Sequence, residues 1–98
     1  MTFDDLKFEI KNDGMWKSKT IINGLTLSVI AGEFAYSTPR VNLKNIDDYH
    51  RFEAAVMDEN GHLYTRKIRT RLLDDVIGYM TREEINELII EIENYENN

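Results

Sequence analysis

Carboxylates are the most abundant reactive groups in this chain, and they are unevenly placed. Residues 74–98 carry eight acids (Asp74, Asp75, Glu83, Glu84, Glu87, Glu91, Glu93 and Glu96) against a single base, Arg82. Carboxylates can move protons, hold a divalent cation or present a fixed anionic surface, and their spacing decides between these. Glu83, Glu84, Glu87 and Glu91 stand at i, i+1, i+4 and i+8, so a helix stacks them along one outward side. Such a row can imitate a nucleic-acid backbone and enter the basic channel of a nucleic-acid enzyme, where charge complementarity speeds and strengthens docking. The plainer reading is a solvated helix face, with Glu83 and Glu84 favoured near the N-terminus by the helix dipole. Asp74 and Asp75 extend the row, but adjacent carboxylates point in different directions in most backbones, so a loop or cap role suits them better than cation binding.

Two further groups are candidates for recognition. Phe34, Tyr36, Pro39, Arg40 and Tyr49 fall in one long connection, and Tyr36 and Arg40 have the side chains that anchor protein interfaces: large contact area with a polar tip. Alternatively, Phe34 and Tyr49 close one end of the core. Arg66, Lys67, Arg69 and Arg71 form a basic run able to hold a phosphate or a single RNA strand, or simply to guard an edge strand against pairing with other chains.

For catalysis the sequence offers little. There is no cysteine, which excludes thiolate nucleophiles, thiolate metal sites and disulfides together. His50 and His62 match no metal-ligand spacing, and Ser18, Ser28 and Ser37 lack the strand-turn-helix setting of a catalytic serine. No catalytic residue, metal ligand or cofactor is therefore expected, and the chain reads as non-enzymatic.

The elements that position these groups follow from periodicity. Leu6-Lys7-Phe8-Glu9-Ile10-Lys11 alternates apolar and charged residues, the pattern of a half-buried strand. Trp16–Ile22 and Leu25–Ala31 flank Asn23-Gly24, the favoured pair for a two-residue type I′ hairpin, which sets Ile22 against Leu25 and Trp16 against Ala31. A second hairpin is expected around Asp58-Glu59-Asn60-Gly61. Its three-residue loop, with Gly61 left-handed, pairs Val56 with Tyr64 and Phe52 with Ile68. Thr81-Arg82-Glu83-Glu84 is a capping box with Met80 and Ile85 as its hydrophobic staple. Ile85, Leu88, Ile89 and Ile92 then form the apolar stripe, and Asn94 to Asn98 are expected to fray. Residues 32–49 fit neither period, and Val41, Leu43 and Ile46 suit a short edge strand or a local turn. The expected fold is α+β: an antiparallel sheet of about five strands, built from two hairpins, with one amphipathic C-terminal helix packed on it.

With 98 residues and 42% apolar content, a single domain over 1–98 with its own core is expected. No apolar run approaches the length of a membrane span, and the acidic start lacks the basic region of a signal peptide, which points to a cytoplasmic protein away from membranes. The net charge of −6 disfavours direct, non-specific nucleic-acid binding and favours a partner with a basic surface.

With these residues in view, the chain resembles small uncharacterised proteins encoded in bacteriophage and prophage genomes. The likeness runs through Gly24-Leu25-Thr26-Leu27-Ser28-Val29-Ile30-Ala31-Gly32, Tyr36-Ser37-Thr38-Pro39-Arg40, Phe52-Glu53-Ala54-Ala55-Val56 and Asp74-Asp75-Val76-Ile77-Gly78-Tyr79. It implies a phage setting and residence in the host bacterial cytoplasm, where small acidic proteins act as inhibitors of host factors, anti-CRISPR and other anti-defence proteins among them. On that reading Glu83, Glu84, Glu87, Glu91, Asp74, Asp75, Tyr36 and Arg40 bind a basic host protein, such as a nucleic-acid enzyme. The competing expectations are a homo-oligomeric structural module that pairs through an exposed sheet edge, and a small-ligand or nucleic-acid binder acting through Arg66 to Arg71.

Overall fold

The computed structural model describes residues 1–96. Its centre is the hairpin of β2 (Trp16–Ile22) and β3 (Leu25–Ala31), in the register that the Asn-Gly pair sets, from Ile22 opposite Leu25 to Trp16 opposite Ala31. Asn23 (φ 52°) and Gly24 (φ 75°) are both left-handed, as a type I′ turn requires. The Asn23 side-chain amide also donates to the carbonyls of Ile92 (3.0 Å) and Tyr95 (2.7 Å). One residue thus shapes the turn and ties it to carbonyls at the end of the C-terminal helix and just beyond it.

β4 (Phe52–Met57) pairs with β3 on its other side. The turn after it forms as anticipated: Gly61 is left-handed at φ 81°, Met57 bridges Leu63, and the Tyr64 amide donates to the Val56 carbonyl at 2.7 Å. The returning strand, however, stops there. The Thr65 hydroxyl takes the Val56 amide at 2.9 Å, and the chain coils into a one-turn helix, α1 (Thr65–Ile68). The expected pairing of Phe52 with Ile68 is replaced by Phe52 with Met80 of β5 (Ile77–Met80). Arg66-Lys67 interrupts the alternation a strand needs, whereas Ile77 and Met80 reach the edge of β4 across a bulge.

The N-terminal strand is also shorter than its pattern. Only Glu9–Ile10 (β1) pairs, with Lys17 and Trp16. Leu6 is buried and the Phe8 ring lies 5.6 Å from Phe3 and 6.1 Å from Phe52, so burial of these two side chains draws residues 6–8 across the core and off the ladder. The result is one antiparallel sheet in the order β1-β2-β3-β4-β5, with α2 (Arg82–Glu93) packed on one face. Both halves of the Thr81–Glu84 capping box are present, and Ile85, Leu88, Ile89 and Ile92 are completely buried. They meet Leu27, Val29, Phe52 and Val56 in the core. At the expected frayed end, Tyr95 is instead held by the Tyr64 hydroxyl at 3.0 Å, while Asn97 and Asn98 lie outside the described residues.

The long connection is a folded loop rather than an edge strand. Tyr49 is fully buried, and its hydroxyl donates to the Val41 carbonyl (2.6 Å) and accepts from the Leu43 amide (2.8 Å). Trp16 Nε1 donates to the Leu43 carbonyl at 2.9 Å, and Ile46–Asp48 makes a single 3-10 turn. Among the described residues no helix is long and apolar enough to cross a membrane.

Candidate protein-docking surface

Burial sorts the aromatics of the connection. Tyr49 is inside the core, whereas Phe34 is 70% exposed and Tyr36 42%. A side chain the sequence reading did not single out, Tyr79, joins them: its ring lies 5.9 Å from that of Tyr36, and the Arg40 guanidinium sits 4.9 Å over the Tyr36 ring. Such an Arg–aromatic stack holds both partners in place while leaving polar tips free.

The backbone fixes this ridge. β5 carries a bulge, since Ile77 and Met80 pair with Ala54 and Phe52 and leave two residues between them against one on β4. Tyr79 adopts φ +56°, a left-handed conformation that costs a bulky residue about 1–3 kcal/mol. Its amide donates to the Tyr36 carbonyl at 2.9 Å, and the Tyr36 amide donates to Glu53 Oε1 at 3.0 Å. Gly78 lets the two segments touch, because a Cβ there would fall 2.8 Å from the Tyr36 Cβ.

Arg51 connects this ridge to the acidic helix. Its Nη1 donates to the Tyr79 carbonyl at 2.9 Å and lies 3.6 Å from Glu84 Oε1. Tyr36 and Arg40 are thereby linked through Tyr79 and Arg51 to the start of α2. The acidic row itself is divided. Glu91 makes a two-point contact with Arg69 (Nη2 to Oε2 2.7 Å, Nε to Oε1 3.1 Å), and the Glu91 carboxylate raises the Arg69 pKa above its ordinary value. The Glu84 carboxylate accepts from the Thr81 amide at 2.9 Å, and that backbone hydrogen bond, aided by the Thr81 hydroxyl and Arg51, lowers its pKa. Glu83 and Glu87 are exposed and, among the described residues, make no ion pair.

Asp74 and Asp75 lie in the loop between α1 and β5, where Asp74 caps the Asp75 amide at 2.8 Å. Among the described residues, no hydrogen bond or ion pair ties either one to α2, and no group of three or more His, Asp and Glu residues is placed to hold a metal. The basic run is dispersed: Arg66 and Lys67 lie on α1 and Arg69 is committed to Glu91. No protein-family model, curated protein or solved structure matches the chain.

Proposed function

We propose that this chain is a non-enzymatic binding protein that docks on another protein through the Tyr36–Tyr79–Arg40 ridge, with Glu83 and Glu87 of α2 reaching basic residues beside it. The observation that carries the reading is Tyr79: a strained backbone and a bulge hold an exposed ring against a second one, an arrangement that core packing does not need. Exposed Tyr and Arg on a rigid support lose little freedom on binding and so make efficient anchors. In the phage setting that the resemblance implies, the partner is a host factor inhibited by occlusion, as with anti-CRISPR and other anti-defence proteins. Mimicry of nucleic acid is a smaller part of this reading than the sequence suggests, because Arg69 and Arg51 engage two of the four carboxylates in the row.

The test is capture of a partner from host lysate, its identification, and titration with the purified partner. Tyr36→Ala/Tyr79→Ala is expected to weaken binding by about 100-fold or more, and Glu83→Lys/Glu87→Lys by about 10-fold at low salt. Unchanged affinity of the double tyrosine variant overturns the assignment of the ridge.

A further inference from the structure

The face of the sheet opposite α2 is open, and it carries the reverse charge. The charged positions of the N-terminal alternation all turn to this side, and with β2 they place Lys7, Lys11, Lys17 and Lys19 around a trough of about 1040 Å³. Ile30 and Met57, both half-buried, are among its lining residues. Glu9 and Asp13 also line it, paired with Lys11 at 3.0 Å and Lys17 at 3.7 Å. Lys7 and Lys19 make no ion pair among the described residues. In a chain of net charge −6, this is a cationic, partly apolar concavity that, among the described residues, no strand, helix or loop covers.

The outward stripe of α2 has the complementary chemistry. Glu83, Glu87 and Ile90 follow one another at spacings of four and three, and Ile90 is 54% exposed. Glu83 and Glu87 are one helical turn apart, about 6 Å along the axis. Lys17 and Lys19 project from the same side of β2 about 7 Å apart. A helix laid along β2 with Glu83 at Lys17 and Glu87 at Lys19 can therefore set two carboxylates against two ammonium groups while its exposed isoleucine falls toward Met57, at the level beyond Lys19.

We infer that a second copy of this chain seats the Glu83–Glu87–Ile90 stripe of its α2 in the lysine trough. The two surfaces differ and lie on opposite sides of the molecule, so the contact is head-to-tail: each copy keeps one free trough and one free helix, and association continues into a ring or an open chain. Glu83 and Glu87 serve both this contact and the proposed partner, so a bound partner competes with assembly. The experiment uses the purified chain alone, which separates its outcome from that of the docking ridge.

Sedimentation equilibrium at low salt is expected to show self-association that strengthens with concentration between about 10 µM and 1 mM and weakens about 10-fold in about 0.5 M salt. Lys17→Glu/Lys19→Glu spoils the trough and leaves the helix; Glu83→Lys/Glu87→Lys spoils the helix and leaves the trough. With folding verified by circular dichroism, each variant alone should be monomeric. Mixed, they should associate again, since the intact helix of one meets the intact trough of the other and the two charge-reversed surfaces also match each other. A wild-type chain that is monomeric at the highest concentration overturns the inference, as does a mixture that stays monomeric or a variant that associates like the wild type. If a fluorescein-labelled oligo-dT binds the wild type and not Lys17→Glu/Lys19→Glu, while the wild type alone stays monomeric, the trough belongs to a polyanion instead.

Discussion

The two faces of the sheet are built from the same strands by alternate residues, yet one is sealed and the other is open. Along β3 the sealed side reads Leu25, Leu27, Val29 and Ala31, all buried, and the open side reads Thr26, Ser28 and Ile30, all half-buried. The difference lies in what each side meets. Leu27 and Val29 share the core with four residues of α2 and with the rings of Phe3, Tyr49 and Phe52. Ile30 and Ser28 line a trough among lysine side chains. Stability is thus concentrated on one side, and the other is left to vary in charge at small cost.

The sharpest way to break this contrast is truncation on the sealed side. Phe52 is fully buried, 4.8 Å from the Phe3 ring and beneath the Arg82 guanidinium at 5.1 Å. Phe52→Ala should cost about 3–5 kcal/mol and Leu88→Ala about 2–5 kcal/mol in chemical denaturation. Ile30→Ala, the same kind of change on the open side, should cost about 1 kcal/mol, and equal losses at Ile30 and Leu88 would refute the distinction. Thr81→Ala removes the helix cap and should cost about 1 kcal/mol.

Acid titration refines the same picture. The folded-state pKa of Glu84 is lowered, mainly by the Thr81 amide. Its contribution is therefore complete above the ordinary carboxylate range and is lost as pH falls through that range to the lower folded value. Glu84→Gln should flatten stability against pH in that window; an unchanged slope would show that the carboxylate adds nothing there. The smallest effect concerns the one flaw of the sealed side, the buried Ser18 hydroxyl, which has no hydrogen-bond partner among the described residues. Ser18→Ala should leave stability unchanged or raise it by up to about 1 kcal/mol, read as a shift in the denaturation midpoint.

What the sequence made legible was local. Asn23-Gly24 contains its own turn geometry, and Thr81 to Glu84 contains its own cap, so register, helix start and the buried stripe of α2 followed from residues within a few positions of one another. The departures are non-local. Whether Tyr64 to Ile68 continues a hairpin depended on which segment could better satisfy the edge of β4, and β5, from residues far downstream, took that place. The acidic row was visible as a periodicity, but its partial neutralisation depended on Arg69 and Arg51, which approach from other elements. Tyr36 and Arg40 were recognisable by type. Their neighbour Tyr79 was not, because its position follows from a bulge, and the Gly78 beside it was the available signal of a close backbone approach.

The strand order β1 to β5 joins each strand only to its immediate successor or predecessor, and this has a kinetic consequence. β2 and β3 close through a two-residue turn and β3 to β4 and β4 to β5 through the longer segments 32–51 and 58–76, whereas α2 must also find partners across most of the chain, with Asn86 accepting from the Phe3 amide at 2.7 Å and Asn23 reaching Ile92. Loop-closure entropy favours the short pairings first, so we expect the sheet to organise ahead of the helix. Substitutions at Leu88 or Ile89 should then accelerate unfolding more than they slow folding, and those at Leu27 or Val29 should do the reverse. The half-life of the native state is accordingly set at the helix, the same element whose outward carboxylates are offered to other molecules.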